Sequence, residues 1–239
     1  MKTKLGVNID HIATLRNARN EGHPNIIKAA KNVIKCGADS ITIHVREDQR
    51  HISKSDAVLL KNKITKPINL EMAPTNDMLN FALKLKPKYV CIVPEKRKEL
   101  TTEGGLNLKN KNLFKIINKL KKKNIEVSLF INPNFKDVNY SFKLGADAVE
   151  IHTGNFAKAT KDNNRKKIFL EFNKIKKCEQ VCIKKKVKFN LGHGLDYRST
   201  KYLMKLKNVN ELNIGHFIIG ESIFEGLSKV IKNFKKIIK

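Results

Sequence analysis

"GADSITIH" spans residues 37–44 and "GADAVEIH" spans residues 145–152. In each, a glycine can end a helix, because it adopts the left-handed backbone that closes one without a Cβ clash. The residues after it enter a short apolar run that closes on histidine. The echo is brief, but it supports a chain built from repeated β–α units.

Runs of this kind recur along the 239 residues: "LGVNI" (5–9), "SITIHV" (40–45), "INLEMA" (68–73), "YVCIVP" (89–94), "EVSLFI" (126–131), "AVEIH" (148–152), "VKFNL" (187–191) and "ELNIG" (211–215). They are short, continuous and rich in Val and Ile, the pattern of parallel strands covered on both faces. Helix-period segments lie between them. "NIIKAAKNVIKCG" puts Ile26, Ala30, Val33 and Ile34 on one face and stops at Gly37. "NLFKIINKLKKKN" does the same with Leu113, Ile116, Ile117 and Leu120. The last segment, "ESIFEGLSKVIKNFKKIIK", aligns Ile223, Leu227, Val230, Phe234 and Ile238, and is expected to pack against a barrel and close the ring. Eight strands alternating with helices predict an α/β fold, a (β/α)8 TIM barrel formed by one domain over residues 1–239. An open doubly wound sheet is the competitor, but no GxGxxG follows the first run.

In such a barrel, functional groups gather at the C-terminal ends of the strands. "NIDH" (8–11), "NLGH" (190–193) and "NIGH" (213–216) close the first, seventh and eighth runs, which become neighbours when the ring closes. Of the seven histidines, His11, His44, His152, His193 and His216 fall at strand ends, whereas His23 and His51 do not. Glu71 and Glu150 sit inside apolar runs, where a carboxyl needs a partner or a raised pKa. Either acid could serve as a general acid or base, and Glu150 could equally be a structural acid paired with a Lys or Arg. Glycines 192, 194 and 215 follow the last two strands, the usual barrel location for phosphate; a plain turn role is the alternative. Arg46, Arg50 and His51 follow the second strand and suggest another anion pocket, hence two phosphorylated substrates or one bisphosphate. The polar stretch 94–107, with Thr101, Thr102 and a Gly104-Gly105 pair, reads as a closing lid or as an exposed loop.

The formal net charge is +27. Lys far outnumbers Arg, and the lysines are spread through nearly every helical segment. That distribution argues for a charged surface and against a nucleic-acid-binding arm, since forked phosphate contacts would be scarce and no aromatic platform is interleaved with the basic residues. Cys36, Cys91, Cys178 and Cys182 form no paired CxxC units, so a zinc site is not expected and the thiols suit a reducing compartment. A metal-dependent hydrolase is a competing reading of the crowded histidines, although no HxH pair marks the first strand. Strand character begins at Leu5, and no apolar stretch approaches the roughly 20 residues that span a bilayer, so a soluble cytoplasmic protein without membrane contact is expected.

Taken together, "GVNIDHIATLRNAR" (6–19), "HVREDQRHI" (44–52), "NLEMA" (69–73), "VPEKRKELTTEGGL" (93–106), "EIHTG" (150–154), "NLGHGL" (190–195) and "LNIGH" (212–216) resemble the pyridoxine 5′-phosphate synthase family, in the family's order, from residue 5 to about 230. The resemblance implies a barrel with extra helices, a homo-octamer of packed dimers, and no metal or organic cofactor. It implies condensation of 1-deoxyxylulose 5-phosphate with 3-amino-2-oxopropyl phosphate. By the same resemblance His44 and Glu71 are proton acceptors, His193 is the proton donor, and Glu150 assists. Asn8, Arg19, Gly194, Gly215 and His216 would hold the amino-ketone phosphate, with Arg19 reaching in from a neighbouring subunit. Asp10, His11, Arg46, His51 and Thr101 would hold the deoxyxylulose phosphate. Glu221-Ser222 departs from the family pattern, where a basic residue is expected.

Overall fold

The computed structural model describes residues 2–95 and 104–239. Its strands are β1 (Lys4–Asn8), β2 (Ser40–His44), β3 (Ile68–Met72), β4 (Tyr89–Ile92), β5 (Glu126–Ile131), β6 (Ala148–His152), β7 (Lys188–Gly192) and β8 (Glu211–Ile214). Each pairs in parallel with the next, and β8 pairs with β1, which closes the barrel. Each lies within two residues of the run that predicted it.

Alternation along the strands separates two environments. Leu5, Val7, Ile41, Ile43, Leu70, Val90, Val127, Val149, Leu191 and Leu212 are wholly buried and share one continuous cluster with helix residues such as Ala30, Leu60, Leu120 and Val230. That sheet-to-helix layer is the main apolar core. The alternate residues face inward, and many are polar. Ser40, Thr42, Asn69, Ser128, Glu150, Glu211 and Asn213 are all buried. The runs therefore read as apolar on both faces only because short polar residues hide between Val and Ile.

The polar interior is crowded and depends on glycine. A Cβ at Gly6 would lie 2.1 Å from Asn213 Oδ1 and 2.8 Å from Glu211 Oε1. Inside the ring, Ser40 Oγ donates to Glu211 Oε1 at 3.0 Å, and Thr42 Oγ1 donates to Asn213 Oδ1 at 2.9 Å.

Among the described residues, three connections carry two helices where one would suffice. After β1 come α1 (Asp10–Arg19) and α2 (Ile26–Lys35); after β6, Gly154–Lys161 and Arg165–Lys185; after β8, His216–Glu225 and Leu227–Ile237. The final segment departs from the single amphipathic helix expected of it. Gly226, at φ +76°, splits it in two. Val230, Phe234 and Ile238 pack as predicted, but Ile223 falls on the first piece and is 77% exposed. Cys178 and Cys182 are buried in the helical layer, and burial pushes both thiols up to about 12, so neither is a ready nucleophile. Among the described residues no helix is long and apolar enough to cross a membrane.

Gly6→Ala tests the packed interior. The added methyl has no room to relax, so a loss of about 1–3 kcal/mol is expected in the urea unfolding free energy. An unchanged midpoint would show that the barrel interior yields.

Candidate active site

The strand ends converge on one mouth, where polar side chains are placed by one another. Asp10, at the start of α1, is buried and saturated. Its Oδ1 accepts the backbone N–H of His44 at 2.9 Å, and its Oδ2 accepts Asn8 Nδ2 at 2.8 Å. Asn8 Oδ1 accepts the Asp10 N–H in return, at 2.9 Å. Its carboxyl ties the end of β1 to the end of β2 and so fixes the backbone of His44. Gly215 gives Asn8 its space, since a Cβ there would sit 2.9 Å from Asn8 Cβ.

His44 stands between two carboxyls. Its Nδ1 is 3.8 Å from Glu71 Oε2, its register partner on β3, and its Nε2 is 3.6 Å from Glu95 Oε2. Arg46 Nε lies 3.6 Å from Glu95 Oε1, and Glu95 accepts the Glu47 N–H at 3.0 Å. The two acids are opposed in character. Burial, with Glu150 and Asp10 nearby, raises the Glu71 pKa well above the usual carboxyl range. Glu95 is lowered although burial pushes it up, because the close approach of His44, the Glu47 N–H hydrogen bond and the charge of Arg46 outweigh that penalty. Glu95 escaped the sequence reading. Its signal was only that "VPE" closes the fourth run, at the edge of a polar loop.

Glu150 lies deeper in the barrel and is 2% exposed. Its partner is an amide and not the Lys or Arg weighed from sequence: Asn213 Nδ2 donates to Oε2 at 2.6 Å. Gly192 clears the other oxygen, since a Cβ there would fall 2.1 Å from Oε1. Burial raises the Glu150 pKa to about 7, against the opposing pull of the Asn213 bond. Glu150 thus holds a proton near neutrality, and Glu71 above it is shifted in the same direction.

Across the mouth, His152 and His193 pack ring to ring at 4.6 Å, with Phe130 edge-on to His152 at 5.4 Å. Gly154 allows this, because a Cβ would meet His152 Cε1 at 2.8 Å and His193 Cδ2 at 3.1 Å. Burial and His193 lower the His152 pKa to about 4, so that ring is neutral at ordinary pH. His193 has φ +77°, a conformation that costs a non-glycine residue about 1–2 kcal/mol. Thr153 Oγ1 steadies it, lying 2.7 Å from both the Gly192 and His193 carbonyl oxygens. Gly194 follows at φ +76°.

A third group lines the rim. His11 packs edge-on to His216 at 5.0 Å and lies 5.8 Å from His51. His216 opens its helix with Gly215 as the preceding cap, so free backbone N–H groups of a first turn stand beside the histidines. Burial and the His216 charge lower the His11 pKa.

Not every expected residue joins the cluster. Arg19, at the end of α1, has a side chain 77% exposed and, among the described residues, pairs with Glu21 at 3.5 Å. Thr101 and most of the expected lid lie outside the described residues. At the far end of that stretch, the Gly105 N–H donates to Asn132 Oδ1 at 2.9 Å, which pins the glycine pair to the end of β5. Glu221 falls inside the helix His216–Glu225, past its first turn.

Comparison with known proteins identifies the family. Residues 5–239 match the model of the family described as "Pyridoxal phosphate biosynthesis protein PdxJ". The chain is 52% identical over 236 residues to the pyridoxine 5′-phosphate synthase of Pelagibacter ubique, covering 98% of each chain. It is 49% identical over 237 residues to that of Blochmanniella pennsylvanica, covering 98% of this chain and 96% of the other. Among solved structures, 3-keto-L-gulonate-6-phosphate decarboxylase from Vibrio cholerae superposes with a TM-score of 0.66 at 11% identity, covering 100% of this chain and 98% of that one. Phosphoribosylanthranilate isomerase from Thermotoga maritima gives 0.59 at 13% identity, covering 99% and 98%. These last two establish the barrel alone. With the family model spanning nearly the whole chain, and relatives this similar at full length, the protein belongs to the PdxJ family of pyridoxal phosphate biosynthesis enzymes.

Proposed function

We propose that this enzyme condenses 1-deoxyxylulose 5-phosphate with 3-amino-2-oxopropyl phosphate, giving pyridoxine 5′-phosphate, inorganic phosphate and water. The observation that carries the reading is the convergence of His44, Glu71, Glu150 and His193 at the C-terminal end of the barrel, with both acids raised above the usual carboxyl range and Glu150 to about 7. Ring formation between an amine and a ketone needs repeated proton removal and repeated loss of water. Groups that hold a proton near neutral pH suit that alternation.

In this reading Glu71 and His44 accept protons as the substrates join. Their 3.8 Å separation lets one reset the other with a small rotation. His193 donates to the departing oxygen, with the neutral ring of His152 packed against it. Glu150 holds or yields a proton from below. Arg46 and His51 steady the phosphate of the deoxyxylulose substrate. The N-terminal turn at His216, with Gly194 and Asn8, receives the amino-ketone phosphate. The surface position of Arg19 suits a role in a neighbouring subunit of a homo-octamer. The fit of the residues to small phosphorylated ligands, acting by acid–base chemistry alone without metal or organic cofactor in the cytoplasm, completes the proposal.

Mixing both substrates with the purified protein and a chelator is expected to yield pyridoxine 5′-phosphate; no product, or product only with added metal, would refute the proposal. Glu71→Gln and His193→Ala are expected to lower kcat by about 10²–10⁴-fold while the circular dichroism stays native. Near-normal turnover in either variant would remove that residue from the mechanism.

Glu150 also makes a stability prediction. A carboxyl whose folded pKa is raised contributes stability below its unfolded value near 4.5, and this is lost as pH rises through about 7. Glu150→Gln removes that loss. The variant is expected to match the parent at pH 4 and to exceed it at pH 8 by on the order of 2 kcal/mol, while turning over slowly. Equal stability at both pH values would mean that folding does not raise the Glu150 pKa.

A further inference from the structure

The sequence between Asp10 and Arg19 carries three polar residues that the reaction does not use: Thr14, Arg16 and Asn17. All three bind the segment that follows β2. Arg16 makes a two-pronged pair with Asp56, at 2.7 and 2.8 Å, and Asp56 caps the helix Lys54–Lys63 that ends the segment. Asn17 Nδ2 donates to the carbonyl oxygens of His51 and Arg50, at 2.8 and 3.2 Å. These two residues fix the backbone under His51. Thr14 fixes the ring, because its Oγ1 lies 2.7 Å from His51 Nδ1.

The hydroxyl has one proton and two candidate acceptors. The Asp10 carbonyl oxygen is 3.2 Å away, one helical turn back, and His51 Nδ1 is 0.5 Å nearer. If the proton goes to Asp10, Thr14 must accept from Nδ1–H, and Nε2 is left as a bare lone pair. A lone pair repels an anion. If the proton goes to Nδ1, the imidazole is held as the Nε2–H tautomer, and its remaining polar atom is a donor. The surroundings favour a neutral ring: burial, with His11, Arg46, His44 and Arg50 around it, lowers the His51 pKa to about 4. A neutral imidazole serves a phosphate only through an N–H, so the tautomer decides whether His51 can bind one.

We infer that Thr14 is a positioning residue, whose hydroxyl donates to His51 Nδ1 and so presents Nε2–H to a phosphate oxygen of the deoxyxylulose substrate. The inference rests on the substrate assignment proposed above, but the tautomer itself does not.

The test uses full-length protein labelled with 15N at histidine, read by NMR with and without inorganic phosphate, alongside steady-state kinetics. In the parent, His51 is expected to show one bare and one protonated nitrogen, with Nε2 protonated. Thr14→Val keeps the shape and removes the hydroxyl; its two His51 shifts should draw together as the tautomers mix. Thr14→Ser should keep the parent pattern. In kinetics, Thr14→Val should raise KM for 1-deoxyxylulose 5-phosphate roughly tenfold, with a smaller change in kcat and none in KM for the amino-ketone phosphate. Thr14→Ser should restore it. An unchanged Thr14→Val spectrum, or a parent ring protonated at both nitrogens with phosphate bound, would overturn the inference, as would an equal rise in both KM values. If no variant makes product, the reaction assignment fails by itself, and the spectra still decide what Thr14 does.

Discussion

Burial between sheet and helices is the interaction on which the rest of this structure depends. The aliphatic side chains of the strands point outward, and Leu5, Val7, Ile41, Ile43 and their counterparts are sealed there by the helical layer. Each such side chain is worth about 1.5–3 kcal/mol when fully buried. With the main apolar core outside the ring, the ring's interior does not have to be apolar. It can hold Ser40, Thr42, Glu150, Glu211 and Asn213, a composition that would be costly in a domain with no other core.

That freedom has a geometric condition. Polar groups inside a closed ring must be paired, and pairing needs space. Gly6 and Gly192 provide it, each lying where a methyl would collide with Asn213 or Glu150. The amide of Asn213 then bridges Thr42 and Glu150, so β2, β6 and β8 share one hydrogen-bonded unit. The chemistry above inherits its order from this floor. Glu150 is dry enough to hold a proton, and Glu71 feels its charge. His44 is fixed from the backbone side by Asp10 and flanked by acids of opposite tendency.

Much of the fold was legible because the outward rows are unbroken: a large apolar residue at every second position, most often Val, Ile or Leu, marks all eight strands, and glycines 37 and 145 mark where helices stop. Ile223 was misplaced because helical periodicity runs smoothly through Gly226, and periodicity alone does not register a left-handed break. The histidines and Glu71 were legible from their places at strand ends. Glu95 and Thr14 were not, since each acts only through a partner distant in sequence: Glu95 through His44 and Arg46, Thr14 through His51. The amide partner of Glu150 was equally hidden, because Asn213 meets it only across the barrel, from a strand remote in sequence.

The central claim is that Glu150, beneath the mouth, is a carboxylic acid still protonated near neutral pH. Infrared difference spectroscopy across a pH titration tests it most directly. The account predicts a protonated-carboxyl band at pH 6 that fades as pH rises through about 7, with one component missing from Glu150→Gln. A spectrum without such a band at pH 6, or one left unchanged by that substitution, would contradict it.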